Sequence, residues 1–150
     1  MPYESDRFDA VFCYGVIFLT DWRKTLTELG RVLKPGGTLY ITANGLGWYI
    51  FLWQEEHNKA SDYDPKLVAA TSLADTLRYD RDKIYEQGMN LIIEPQTLAL
   101  ELSRIGFKSI KIKSEGCIHE DTNAEKPIQF SKGSYKGQTA VYEVLASTKK

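Results

Sequence analysis

Residues 8–14 read Phe8-Asp9-Ala10-Val11-Phe12-Cys13-Tyr14, and residues 29–42 read Leu29-Gly30-Arg31-Val32-Leu33-Lys34-Pro35-Gly36-Gly37-Thr38-Leu39-Tyr40-Ile41-Thr42. Ala10 to Cys13 is a continuous apolar stretch, not an alternating one, which is the pattern of a strand covered on both faces in a parallel sheet. Thr20 or Asp21 then stands as an N-cap, and Trp22, Leu26, Leu29 and Leu33 fall at i, i+4, i+7 and i+11, one apolar stripe of a helix. Pro35-Gly36-Gly37 stops that helix, with Lys34 at its negative end. Thr38 to Thr42 reads as the next strand. Strand, helix and strand in quick succession predict a βαβ unit with a right-handed crossover.

Working outward, Trp48 to Glu56 predicts a short aromatic-rich helix. Asp64 caps Pro65 at the first position of another, whose inward face is expected to carry Leu67, Ala70, Ala74 and Leu77. A third helix runs from Pro95 to Ile105, with Leu98, Leu102 and Ile105 inward and Gly106 as its stop. Lys108 to Lys113 alternates, predicting a strand with one wet face, whereas Thr139 to Ala146 reads as a last strand apolar on both faces. Ser114 to Gly137 between them is rich in Gly, Ser, Asn and charge, a long connection that is either functional or irregular.

The 150 residues suit a single domain, 1–150, with nine Tyr, six Phe and three Trp to bury. With 19 basic residues against 20 acidic ones, bulk electrostatics do not favour a nucleic-acid partner. Met1 to Asp6 is polar and acidic, unlike a secretory signal, and the longest apolar-rich run, Gly45 to Trp53, falls far short of the roughly 20 residues a spanning helix needs. Two cysteines, Cys13 and Cys117, make no disulfide scaffold, so a reducing, cytoplasmic setting is expected.

Pro2, Tyr3, Phe8, Asp9 and Val11, followed by Glu28, Arg31, Val32 and Leu33 through Gly37, form one pattern. It is Pro-[Phe/Tyr]-x4-Phe-Asp-x-Val, then a helix ending Glu-x-x-Arg-Val-Leu-Lys-Pro-Gly-Gly, then a strand. This resembles the class I S-adenosylmethionine-dependent methyltransferases, in the small-molecule, Methyltransferase-11-like branch. Asn44 and the stretch Leu98 to Phe107 also fit. The resemblance implies part of a doubly wound, Rossmann-like α/β sheet, mostly parallel with an antiparallel last strand. It covers the family domain from its fourth strand onward, with a helical, substrate-covering insert at 45–93.

The family's opening strand, Gly-rich turn and following acidic residue, which hold the cofactor, have no counterpart in these residues. Gly45-Leu46-Gly47, the sole G-x-G, follows the wrong strand and has Ile50 at the third glycine position, so it reads as a turn or hinge. The expectation is a truncated gene product, or an internal methionine taken as a start. A domain lacking that half leaves the outer edge of strand 8–14 unpaired, which predicts self-association through this edge.

The resemblance implies S-adenosylmethionine as cofactor, with Cys13, Tyr14, Gly15 and Phe18 at the positions that face it. The reaction it implies is methyl transfer to a small-molecule acceptor. Such a transfer is an in-line displacement that rests largely on proximity and alignment, and a base is added where the acceptor is a hydroxyl. Many relatives carry a His near the position of Phe18; here Phe18-Leu19 stands in a loop one residue shorter. His57, with Glu55 and Glu56 nearby, is therefore the candidate base. Trp48, Tyr49 and Trp53, in the aromatic run with Phe51, are the candidate acceptor-facing rings, although the run reads more readily as the buried stripe of a short helix. Cys117-Ile118-His119-Glu120-Asp121 contains metal-ligand residue types without a second cluster at ligand spacing, so no metal is expected. The other reading is a non-catalytic interaction module, or a remnant that needs a separate N-terminal half.

Overall fold

A computed structural model describes residues 2–118 and 131–149. The βαβ unit forms as β1 (Phe8–Cys13), α1 (Trp22–Val32) and β2 (Leu33–Asn44). The helix ends earlier than expected, at Val32, because Leu33 is already extended; Pro35-Gly36-Gly37 therefore lies within β2 and does not stop the helix. Trp22, Leu26, Leu29 and Val32 are the buried stripe of α1. Asp21 precedes it, but its carboxylate takes the Tyr79 hydroxyl (2.8 Å) and Lys24 (2.9 Å) rather than capping backbone N–H groups. Glu28 and Arg31 close a two-pronged ion pair at 2.9 Å on the next turns.

The chain continues through α2 (Leu46–Glu55), α3 (Pro65–Asp82), α4 (Pro95–Arg104), β3 (Lys108–Ser114), the two-residue strands β4 (Ser134–Tyr135) and β5 (Gln138–Thr139), and β6 (Val141–Ser147). Asp64 caps α3 as expected, accepting from the Lys66 (2.9 Å) and Leu67 (3.3 Å) N–H groups. Gly106, with φ of 102°, ends the turn after α4.

Among the described residues the main sheet has the order β1-β2-β6-β3. Only β1 and β2 pair in parallel; β2 with β6 and β3 with β6 are antiparallel. The expected sheet, mostly parallel strands with an antiparallel last strand, is met in part: the last strand is antiparallel, but most of the pairings are antiparallel too, so the sheet is a mixed α/β one. The reason is the return of β6: β3 runs in the direction of β1 and β2, but β6 comes back between β2 and β3 and bonds both.

Leu39 and Ile41 of β2, with Tyr142, Val144 and Ala146 of β6, lie on one face and pack with Leu26 and Leu29 of α1 and with Leu98 and Leu102 of α4. Ile110 and Ile112 of β3 join this core while Lys111 and Lys113 stay exposed, the wet face that the alternation predicted. On the opposite face stand Phe12, Tyr40, Leu145 and Lys111, as the register Phe12↔Tyr40, Tyr40↔Leu145 and Lys111↔Leu145 requires. Phe12 is 69% exposed. Among the described residues the Ala10–Cys13 stretch is therefore covered on one face only, because no described helix lies over the other. Nor is the last strand apolar on both faces: Glu143 is buried in its middle.

The inward face of α3 also differs. Leu67 and Leu77 are 62% and 72% exposed, and Ala70 and Ala74 are exposed with them. The buried stripe is Pro65, Ala69, Ser72 and Tyr79. Small residues there let Tyr49 and Leu52 of α2 pack against Ala69. Ser72 donates to its own helix at Val68 O (2.7 Å), and Thr76 Oγ1 accepts from Ile92 N–H (2.8 Å), so the polar members of the stripe are hydrogen-bonded.

Candidate functional site

Because β1 and β2 are parallel, both present their carboxyl ends at the same end of the sheet, the end at which open α/β sheets take ligands. Gly15 turns the chain there with φ of 68°, a left-handed conformation suited to glycine, and a Cβ on it would meet nothing within 4 Å. Its N–H donates to Thr42 Oγ1 (2.7 Å), tying the β1 end to β2. The chain then makes a short turn at Ile17–Leu19, held where Leu91 N–H donates to Phe18 O (2.8 Å).

The four expected cofactor-facing residues divide. Cys13 is buried on the covered face, and desolvation pushes its thiol pKa up. Phe18 packs half-buried against the core. Gly15 and Tyr14 remain at the open end, Tyr14 at 44% exposure with its ring parallel to that of Phe12 (5.9 Å, 5°). Phe12 stacks in turn on Tyr40 (4.7 Å, 6°), so three rings form a row across β1 and β2.

Two carboxylates anchor this row. Tyr14 donates its hydroxyl to Glu115, and that hydrogen bond, with desolvation, pushes the phenol pKa up to about 12. Tyr40 donates to Glu143 Oε2 (2.6 Å), and burial first, then Glu143, raises its pKa further. Glu143 Oε1 also accepts from the N–H groups of Cys117 (2.7 Å) and Ile118. Sequence reading missed Thr42, Glu115 and Glu143. The available signals were Thr42 sharing the strand face of Tyr40, and a lone acid inside an apolar strand.

The second cluster lies on α2. Trp48, Tyr49 and Trp53 do not form one wall. Tyr49 is buried against α3 and donates to Asn90 Oδ1 (2.8 Å), Trp53 is half exposed, and Trp48 leans on Phe51 (5.6 Å). His57 packs against Trp48 (5.9 Å) and Phe51 (4.9 Å). Its neighbouring carboxylates are engaged elsewhere: Glu55 takes the Tyr135 hydroxyl, and Glu56 pairs with Lys59 and Lys66.

Gly45 and Gly47 open α2 for a steric reason. A Cβ on Gly47 would lie 2.5 Å from Gln138 O, and one on Gly45 2.6 Å from Thr139 O. Gly45 N–H also donates to Ala140 O (2.8 Å). These glycines admit the β5 backbone. His119, Glu120 and Asp121 lie outside the described residues, and among those described no group of three metal-ligating side chains gathers. One cavity of about 390 Å³ lies on the open sheet face over Tyr40, Lys111 and Leu145. Another of about 230 Å³ lies between α1, α3 and residues 91–94.

Comparison with known proteins places this geometry. A family model described as "Methyltransferase domain" matches residues 1–41. The demethylmenaquinone methyltransferase of Corynebacterium urealyticum is 48% identical over 42 residues, which are 27% of this chain and 18% of that protein. Among solved structures, a Thermotoga maritima S-adenosylmethionine-dependent methyltransferase, described as a possible histamine N-methyltransferase, superposes on 99% of this chain (TM-score 0.55, 15% identity, 60% of that chain covered). A phosphoethanolamine N-methyltransferase of Haemonchus contortus, in complex with phosphomonomethylethanolamine and S-adenosylhomocysteine, gives a TM-score of 0.54 at 14% identity, covering 99% of this chain and 35% of that one. By its first 41 residues and by its fold, the chain resembles the class I S-adenosylmethionine-dependent methyltransferases. It spans about three-fifths of the length of the Thermotoga protein.

Proposed function

We propose that the chain is part of an S-adenosylmethionine-dependent methyltransferase that acts on a small-molecule acceptor. The observation that carries this reading is the coincidence of the family match at residues 1–41 with a parallel β1–β2 pair whose carboxyl ends open beside Gly15 and Tyr14. Those two residues suit a cofactor lying against the strand ends: Gly15 leaves open space and Tyr14 offers an exposed ring next to it. Cys13 and Phe18 back them from the core. When bound, the cofactor supplies an electrophilic methyl group on a sulfonium, so the protein's task is alignment.

Glu115 holds the Tyr14 ring by its hydroxyl, which orients it at that end. The insert at 45–93, built as α2 and α3, covers the acceptor, with Trp48 and Trp53 as its exposed or half-exposed rings. His57, packed against Trp48 and Phe51, is the candidate base on that insert. The small-molecule class is supported by the similar proteins, whose names point to a quinone precursor and to amines. These matches do not favour the reading as a non-catalytic module or remnant. Cys13 and Cys117 form no disulfide among the described residues, in keeping with a reducing cytoplasmic setting, and no helix among the described residues is long and apolar enough to cross a membrane.

Isothermal titration of the 150-residue chain with S-adenosylhomocysteine tests the proposal. The expected result is saturable one-to-one binding that Tyr14→Ala weakens at least about tenfold, a loss of roughly 1.4 kcal/mol. Absence of binding overturns the assignment of a cofactor site to these residues. Binding indifferent to Tyr14→Ala moves the site elsewhere.

A further inference from the structure

On the reading of Gly15 and Phe18 as cofactor-facing, we propose that Tyr85 is a positioning residue for the turn that carries them. Together with residues 91–93 it holds that turn from the insert, and so sets where Gly15 and Phe18 stand.

The turn does not satisfy its own backbone. Val16 O accepts from Leu19 N–H (3.0 Å), and Ile17 O accepts from the N–H (3.2 Å) and the hydroxyl (2.7 Å) of Thr20. The next two carbonyls, of Phe18 and Leu19, point past the end of Ile17–Leu19 and need partners from elsewhere, as the last carbonyls of a helical turn do. Both partners come from the insert. Tyr85 donates its hydroxyl to Leu19 O (2.5 Å), with Met89 O farther off at 3.3 Å, and Leu91 N–H donates to Phe18 O (2.8 Å).

A tight reversal brings these donors to the turn. Lys83, with φ of 57°, ends α3. Residues 86–89 then form a turn closed by Met89 N–H on Glu86 O (3.1 Å). Gly88, with φ of 95°, takes its third position, where a type II turn requires positive φ. The reversal leaves the Tyr85 ring packed against the main core.

Beyond it, three successive N–H groups tie three different elements. Leu91 bonds Phe18 O, Ile92 bonds Thr76 Oγ1 of α3 (2.8 Å), and Ile93 bonds Asn44 O at the end of β2 (3.0 Å). The side chains alternate too: Leu91 and Ile93 are buried in the main core, whereas Ile92 packs against the α2–α3 cluster. Tyr79, donating to Asp21 Oδ1 (2.8 Å), adds a tie just past the turn. The turn and the insert are thus one mechanical unit, bonded at Phe18, Leu19 and Asp21. Methyl transfer depends on alignment, and a displacement of about 1 Å started far from the reacting atoms costs on the order of a hundredfold in rate. Tyr85 acts on that alignment through the turn.

Tyr85→Phe removes the hydroxyl and keeps the ring. In the 150-residue chain, NMR backbone order parameters at residues 15–20 are expected to fall from about 0.85 towards 0.6 in this variant, while those of β2 and β6 stay near 0.85. Tyr135→Phe, which removes another hydroxyl bonded to the insert, at Glu55, is expected to leave residues 15–20 unchanged. S-adenosylhomocysteine affinity should fall on the order of fivefold in Tyr85→Phe and hold in Tyr135→Phe. Unchanged order parameters at residues 15–20 overturn the proposal, and so does a fall spread evenly over β2 and β6. A loosened turn that binds S-adenosylhomocysteine as tightly as wild type overturns the positioning role. A wild-type chain that binds no S-adenosylhomocysteine overturns the cofactor reading itself, and the order parameters then decide alone whether Tyr85 holds the turn.

Discussion

The two faces of the sheet are made from the same four strands and behave as different materials. One is dry: Leu39, Ile41, Tyr142 and Val144 pack with the apolar stripes of α1 and α4. The other holds a row of three stacked rings, with Lys111 and Lys113 of β3 exposed beyond it and Glu115 and Glu143 holding the tyrosine hydroxyls. A strand with strong apolar character does not guarantee two covered faces. Cover depends on whether a helix returns over each side, and in the described residues the helices of the βαβ crossover and of α4 return over the same one.

The largest expected effect separates the faces directly. Ile41→Ala or Leu98→Ala, in the dry face, should cost about 2–5 kcal/mol of unfolding free energy by urea denaturation. Phe12→Ala, on the other face, should cost less than about 1 kcal/mol, because its ring is already mostly in water. Equal losses would break the comparison. Next in size, Gly47→Ala drives a Cβ into the Gln138 carbonyl and should cost about 1–3 kcal/mol by the same measurement.

Glu143→Gln tests the polar end of the open face. The carboxylate accepts from Tyr40 and from two backbone N–H groups, so replacing an oxygen acceptor by a donor should cost about 1–3 kcal/mol. Thermal melts of this variant are expected to show the loss while S-adenosylhomocysteine binding separates stability from function. The smallest effect is a pH dependence. Tyr14 has a folded pKa of about 12 against an ordinary value of 10.0, so its bond to Glu115 stabilises fully below pH 10 and is lost as pH rises towards 12. Wild type should therefore melt above Tyr14→Phe at pH 9, and the gap should close as pH approaches 12.

Local chemistry was legible. The Asp64-Pro65 start of α3, the stripe of α1 and the stop at Gly106 each depend on contacts within one or two turns. The buried face of α3 was not legible, because Ala69, Ser72 and Thr76 are small or polar. They are inward only because α2 approaches closely and residues 91–93 supply hydrogen-bond partners. The site was half legible. The β1 end was found through Cys13, Tyr14, Gly15 and Phe18, but strand alternation had to be combined with pairing to learn that Cys13 turns inward and Tyr14 outward. The two glutamates beneath the tyrosines come from sequence positions a hundred residues away.

The sequence by itself determined the main elements: the existence of α1 to α4 and of β1, β2, β3 and β6, the start of α3 and the end of α4, and that β3 has a wet face. Hydrophobic period, caps and glycines act over a few residues and can be read in order. Only the tertiary structure decided that β6 returns between β2 and β3, that one face of β1 is bare, and that Gly45 and Gly47 serve close backbone packing. Each of these depends on which distant segment arrives as a neighbour, and pairing and packing between distant segments are properties of the assembled chain.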